Sequence, residues 1–174
     1  MKKLTLIIIA ILCTVTTFAQ KTFDTEFTQT KMMKVSGKTT DKVGHILFDG
    51  KDQLQMNYSV PEGDYFIIEG NKVKINMDGK KTELDANKVK TVELQRSTLL
   101  NCLSGNWEQA AIDNNAETTI TEEKGMKVIS INAQGKVPKG GYKSVVLTYR
   151  LSDDSMVKMV LEEAAGIINS YEIK

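Results

Sequence analysis

Alternation of apolar and polar residues in Leu54-Gln55-Met56-Asn57-Tyr58-Ser59 constrains this chain more than any other feature. Successive side chains of a strand point to opposite faces, so Leu54, Met56 and Tyr58 make one greasy face while Gln55, Asn57 and Ser59 make a wet one. Pro61 cannot donate to a ladder and ends that strand. Tyr65-Phe66-Ile67-Ile68 then reads as a more fully apolar strand, closed by a Gly70-Asn71 turn.

Similar punctuation recurs at short intervals: Asp49-Gly50, Asp78-Gly79, Gln134-Gly135, Gly140-Gly141, Asp153-Asp154 and Ala165-Gly166. Between these turns lie short runs rich in β-branched and aromatic residues. Ile46 and Phe48 share a face, as do Val73, Ile75 and Met77; further runs cover 128–131, 145–151, 157–161 and 167–173. Many short strands joined by tight turns indicate a mainly β antiparallel meander, either sandwich or barrel. Residues 85–105 depart from this pattern. Val89, Val92, Leu99, Leu100 and Leu103 fall nearer a helical period, Thr98 is a candidate N-cap and Gly105 a candidate stop. The same stretch leaves 91–94 open as a strand. A curved sheet interrupted by one or two helices is therefore expected.

The amino terminus reads as a sorting signal. Lys2 and Lys3 precede an apolar run at 4–15, and Thr17-Phe18-Ala19 offers small residues at the peptidase positions, so cleavage after Ala19 is expected. That run is too short for the roughly 30 Å of a bilayer core. Leu12 before Cys13 does not suit lipid attachment at that cysteine. Residues 20–174 then form a single domain in an exported, periplasmic protein. Loss of the two lysines takes the net charge from +1 to −1, which gives no reason to expect nucleic acid. Cys102 is left without a disulfide partner and is expected to be a buried small hydrophobe.

Nothing in the chain assembles catalytic chemistry, and neither a cofactor nor a metal is expected. His45 is the single histidine. Gly135-Lys136-Val137-Pro138-Lys139-Gly140-Gly141 has the glycine spacing of a phosphate loop, but Gly141 stands where lysine is required, and a hairpin loop explains it better. Asp153-Asp154 and Glu162-Glu163 are adjacent carboxylates whose members point to opposite faces if they lie in strands. Trp107 either caps the core or rims a pocket, with core favoured by its area.

Taken in order, Phe27-Thr28-Gln29-Thr30-Lys31, Gly44-His45-Ile46-Leu47-Phe48, the segment from Leu54 to Asn71, and Ala165-Gly166-Ile167-Ile168-Asn169-Ser170-Tyr171 resemble the LolA-type lipoprotein carriers over most of residues 20–174. The resemblance implies a half-open antiparallel β-barrel, a curved sheet, with a short helical lid over a hydrophobic concavity. It implies a non-enzymatic, monomeric periplasmic carrier of acylated lipoproteins, loaded by an inner-membrane lipoprotein-releasing ABC complex and unloaded at an outer-membrane acceptor. Exposing an acyl chain to water costs about 0.8 kcal/mol per methylene, so such cargo needs a replacement apolar surface. The seven methionines beyond the leader suit a surface that repacks, although they serve equally as core filler.

The lining expected from this reading is Ile46, Phe48, Leu54, Met56, Tyr58, Phe66, Ile68, Val73, Ile75 and Met77 from the strands, with Leu99, Leu100 and Leu103 from the lid. The same residues could equally pack a closed core. Two departures stand out. Residues 20–26 leave too little chain for the amphipathic helix that precedes the family's first strand. Gln55 stands where the family often has an arginine that latches the lid, and it lacks arginine's charge and fork of donors. An envelope-stress sensor or general lipid-binding module on the same half-barrel is the alternative reading, and an enzyme acting on lipids is disfavoured by the missing nucleophile–base pair.

Overall fold

The computed structural model describes residues 21–137 and 140–174, so the expected leader at 1–19 lies outside the described residues. The chain runs outward through β1 (Phe23–Met33), β2 (Thr39–Phe48), β3 (Gln53–Val60), β4 (Glu62–Glu69), β5 (Lys72–Met77) and β6 (Lys80–Asp85). It crosses through α1 (Lys90–Ser104) and α2 (Trp107–Asp113), then returns through β7 (Ala116–Glu123), β8 (Met126–Ala133), β9 (Tyr142–Arg150), β10 (Met156–Glu163) and β11 (Ile167–Ile173). All neighbours are antiparallel in one sheet ordered β6-β5-β4-β3-β2-β1-β11-β10-β9-β8-β7. The first and last strands join the two limbs, Phe27 opposite Ile173 and Met33 opposite Ile167. β6 and β7 end the sheet without meeting, so it is an open, mainly β half-barrel rather than a closed one.

The alternating segment behaves as its pattern dictates: Leu54, Met56 and Tyr58 of β3 are buried at 0%, 2% and 5% exposure. The runs at 128–131, 157–161 and 167–173 fall within β8, β10 and β11, and 145–151 falls in β9 except for Leu151, which opens the following turn. The two edge strands were not legible, because β6 reads Lys-Lys-Thr-Glu-Leu-Asp and β7 Ala-Glu-Thr-Thr-Ile-Thr-Glu-Glu. Charge on an exposed edge deters pairing with another chain, and it also erases the apolar alternation that reveals a strand. Likewise β1 begins at Phe23, four residues before the Phe27 expected to open it. Among residues 21–26 no helix precedes it.

Helix α1 settles the alternatives left open for residues 85–105. Residues 91–94 are helical, and the helix ends at Gly105, whose φ of 83° lets its N–H turn back to the carbonyls of Asn101 and Cys102. Thr98 is not an N-cap. It lies mid-helix, fully buried, and its Oγ1 accepts a 2.7 Å hydrogen bond from Asn114 Nδ2 beyond α2. That bond ties the two helices together. No helix among the described residues is long and apolar enough to cross a membrane.

One hydrophobic core joins the inner faces of both limbs to α1, with Leu100, Cys102 and Leu103 of the helix meeting Ile46, Phe48, Leu54, Ile68, Ile129 and Leu147 of the sheet. Gly44 of β2, between Phe27 and Tyr58, has no room for a side chain. A Cβ there would overlap the Asn57 carbonyl and lie 2.9 Å from Phe27 Cε1. Absence of a side chain lets the Phe27 ring cross the sheet and meet Tyr58 edge-on at 5.4 Å.

Candidate functional site

The inner rows of neighbouring strands share a gradient of polarity running in one direction. In β1 it passes from Phe27 to Gln29 to Lys31, in β2 from Phe48 and Ile46 to Lys42, and in β4 from Ile68 and Phe66 to Asp64. Across the join it passes from Ile173 to Tyr171 to Asn169 in β11, and from Met159 to Leu161 to Glu163 in β10. At the apolar end α1 fills the concavity and makes core. Towards the polar end the sheet and helix part, leaving a cavity of about 600 Å³. Its apolar wall is Met56, Phe66, Val73, Ile75, Met77 and Leu84 of β3 to β6, faced by Val92 and Leu99 of α1.

The opposite wall is a connected polar network. Tyr58 Oη donates to Gln29 Oε1 at 2.8 Å, Gln29 Nε2 donates to Asn169 Oδ1 at 3.0 Å and to Tyr171 Oη at 3.2 Å, and Asn169 Nδ2 donates to Glu163 Oε1 at 3.0 Å. Burial, and after it neighbouring phenols and carboxylates, pushes the Tyr58, Tyr142 and Tyr171 hydroxyls well above the ordinary phenol range, so they remain neutral. Lys42 Nζ reaches Asp64 Oδ2 at 2.6 Å and lies 5.1 Å from the Tyr58 ring centre. That hydrogen bond is the chief cause holding the Asp64 carboxyl below its usual range, with the Asp78 amide adding to it against the opposing effect of burial.

The amino-terminal half of α1 covers this cavity and is held from both limbs. Arg96 Nε donates to the Gly70 carbonyl in the β4–β5 turn at 2.6 Å, and its Nη1 lies 3.2 Å from Glu93 Oε2. On the other limb Gly140 packs against the helix so closely that a Cβ would lie 3.1 Å from Thr91 Cβ. Gln55 has no part in this closure: it stands on the outer face of β3, paired with Leu47 and Ile67. The helix itself supplies the arginine that reaches across.

Of the residues expected to line a cavity, Met56, Tyr58, Phe66, Val73, Ile75, Met77 and Leu99 come together around this one. Ile46, Phe48, Leu54, Ile68, Leu100 and Leu103 sit instead in the closed core. Sequence reasoning did not single out Gln29, Lys31, Lys42, Asn169 or Tyr171 as lining. Their inward register on β1, β2 and β11 was the available signal. Arg96 and Leu84 were missed too, the latter because β6 itself was missed.

Other side chains with catalytic potential lie apart. His45 is half-exposed on the outer face of β2, with Nε2 3.1 Å from Asp24. Cys102 is buried as expected, and burial pushes its thiol up to about 12, which suits a packing residue rather than a nucleophile. Asp153 and Asp154 lie in the β9–β10 turn, not in a strand: Asp153 pairs with Arg150, and Asp154 with Lys21 and Lys127. Glu163 faces the cavity, while Glu162 lies 2.8 Å from Lys34. A second cavity of about 610 Å³ lies at the carboxyl end of α1. Trp107 rims it and also packs against the core, and the Lys21–Asp154–Lys127 cluster fills its polar side. None of the expected lining residues reaches it. Among the described residues no group of three or more His, Cys, Asp or Glu is placed to hold a metal.

No protein-family model matches the chain, and no curated protein matches it. Solved structures similar in fold include a LolA superfamily protein of Nitrosomonas europaea, 10% identical, covering 89% of this chain and 84% of that one with a TM-score of 0.40. A DUF1329 family protein of Desulfovibrio piger is 11% identical over 89% of this chain and 84% of that one, with a TM-score of 0.40. The lipoprotein LppX of Mycobacterium tuberculosis is 12% identical over 87% of this chain and 85% of that one, with a TM-score of 0.32.

Proposed function

We propose that this protein is a carrier of acyl chains, taking the hydrocarbon of a lipid or lipoprotein into the cavity beneath α1 and releasing it to an acceptor. The observation that carries this reading is the cavity itself: about 600 Å³ left between sheet and helix, with an apolar wall running from Leu84 to Met56. The second cavity, at the carboxyl end of α1, has instead the Lys21–Asp154–Lys127 cluster along its side. Native interiors leave few voids larger than a water molecule, so a space of this size between sheet and helix is a feature for a ligand. The walls suit reversible holding. Met56 and Met77 offer flexible thioethers, and the cover is fastened to the β4–β5 turn through one arginine.

In the fuller form of this reading the protein works in the periplasm after loss of residues 1–19. It is a monomer without cofactor or catalytic role, receiving acylated lipoproteins from an inner-membrane ABC complex and delivering them to an outer-membrane acceptor. The leader sequence and the resemblance of the central segment support that form. Cavity size favours the simpler lipid-binding module. Taking each methylene as about as large as a water molecule's share of liquid, roughly 30 Å³, the cavity holds about twenty carbons, one long chain rather than three.

A solvatochromic fatty-acid probe tests the reading. It should brighten and shift blue with the wild type, and Ile75→Asp or Met56→Asp should weaken it at least about tenfold, since an unpaired charge in an apolar wall is costly. Met56 is nearly fully buried and Ile75 only partly so, which makes Ile75→Asp the variant better able to keep its fold. Unchanged binding in a folded Ile75→Asp variant would remove this cavity as the site, and no binding by the wild type would overturn the carrier reading. Mass spectrometry of co-purified material separates the two forms, triacylated peptide favouring the lipoprotein carrier and free lipid the binding module.

A further inference from the structure

We propose that the ligand is an amphiphile with one long acyl chain and one anionic head group, its tail under α1 and its head at the Lys31–Lys38 end of the cavity. This rests on the acyl-binding reading above and specifies the chemistry of what is bound.

The polarity gradient sets the orientation. A closed core has no use for inner rows that pass from Phe27 through Gln29 to Lys31, or from Ile46 to Lys42. An amphiphile does, because its own polarity changes end to end. Four cations line the cavity, Lys31, Lys38, Lys42 and Arg96, against two carboxylates, Asp78 and Glu163. Lys42 is engaged by Asp64, and Arg96 by Glu93 and the Gly70 carbonyl. Glu163 accepts the amide of Asn169, which lies directly opposite Lys31. The Lys31 and Lys38 ammonium groups have neither an ion pair nor a hydrogen bond among the described residues, whereas Lys34 between them in sequence is paired with Glu162 on the other limb.

Lys31, an exposed residue on the inner row of β1 at the cavity mouth, stands beside Thr40 and Asn169, so an anion placed there meets an ammonium, a hydroxyl and the edge of the Gln29–Asn169 network together. Ammonium groups donate up to three hydrogen bonds and suit carboxylate or phosphate alike. Asp64, Asp78, Glu93 and Glu163 offset the four cations in number, so the pull on an anion is local to the Lys31 and Lys38 ammonium groups at the cavity mouth. The volume matches one tail: at roughly 30 Å³ per carbon, about 600 Å³ corresponds to about twenty carbons, the size of one long chain.

Displacement of the fluorescent probe tests this, using palmitate, lysophosphatidic acid and neutral monopalmitoylglycerol below their micellar concentrations, on the wild type and on Lys31→Gln/Lys38→Gln. At low salt at least one of the anionic ligands should bind about tenfold tighter than the neutral one. That advantage should vanish in the double variant and fade at high salt, while monopalmitoylglycerol binds both proteins equally. A preference for palmitate identifies a carboxylate head and a preference for lysophosphatidic acid a phosphate head, and either supports the proposal. Equal affinity for all three in the wild type, or an anionic advantage that survives the double substitution, would overturn it and leave acyl binding standing. A diacyl phosphatidic acid binding as tightly as its single-chain counterpart would overturn the one-chain limit. Failure of the wild type to bind any of them would sink this inference together with the carrier reading.

Discussion

Replacing Arg96 by Gln should loosen the cover over the cavity without melting the sheet. Among the described residues Arg96 is the one α1 side chain that hydrogen-bonds the β4–β5 limb, through Nε to the Gly70 carbonyl at 2.6 Å, and its side chain is only 14% exposed. A hydrogen bond made by a charged group in such a setting contributes about 1.5–3 kcal/mol. The accompanying pair with Glu93 adds little, since that carboxylate is 46% exposed. Loss of this contribution should raise the open fraction of the helix's first half by about ten- to a hundredfold, because 1.4 kcal/mol is a factor of ten. The assay is native-state hydrogen exchange on residues 20–174, followed amide by amide. Amides of residues 92–96 should exchange faster by that factor, whereas those of Leu99 to Leu103 and of Val73 to Met77 should change little. The distinction follows from burial: Leu99, Leu100, Cys102 and Leu103 lie in the core, so the second half of α1 is an anchor and the first half the movable cover. Exchange at 92–96 within about twofold of wild type would show that packing against Gly140 and the sheet, not the arginine, holds the helix closed. A uniform rise across all three regions would show that Arg96 serves global stability instead.

Gly44→Ala should lower the melting temperature by several degrees, because forcing a methyl against Phe27 and the Asn57 carbonyl is overpacking worth about 1–3 kcal/mol. Adding Phe27→Leu should recover part of the loss, and a melting temperature within about 1 °C of wild type would refute the crowding argument. Asp153 is held down to about 2, first by the Ser155 hydroxyl and then by the Ser155 amide. Its folded value lies below the unfolded one of about 4, so whatever it contributes to the β9–β10 turn is present above pH 4 and is lost as pH falls towards 2. The Ser155 amide chemical shift should titrate near 2 in the wild type, and in Ser155→Ala, which keeps the amide but loses the hydroxyl, the midpoint at residue 155 should move towards the ordinary carboxylate value; a wild-type midpoint near 4 would refute the assignment.

Where strands lie was largely legible, since period-two alternation and turn residues act within a few positions of each other. Leu54, Met56 and Tyr58 could face only one way once they were in a strand, and Gly105 could end a helix wherever the chain met solvent. β6 and β7 were hidden for a physical reason. An edge strand needs no apolar face of its own to pair with one neighbour, and its charges defend it against a second. The arginine expected near the central proline was absent, and nothing local announced that Arg96 would reach Gly70, a partner defined only when helix and turn are packed.

The candidate site divides the same way. Alternation alone placed Ile46, Leu54, Met56 and Ile75 on the inner face, but it could not say which of them would touch protein and which would face a void. That depends on how far the two limbs stand apart at each level and where α1 settles between them, and both are sums of contacts between residues far apart in the chain. Ile46, Met56, Phe66 and Ile75 lie in register across β2 to β5. Yet Ile46 packs into the core with Leu100 and Leu103, while Met56, Phe66 and Ile75 face the gap, where the helix presents Val92 and Arg96. Local chemistry determined the direction of each side chain, while the long-range separation of sheet and helix decided which of those side chains would line a cavity.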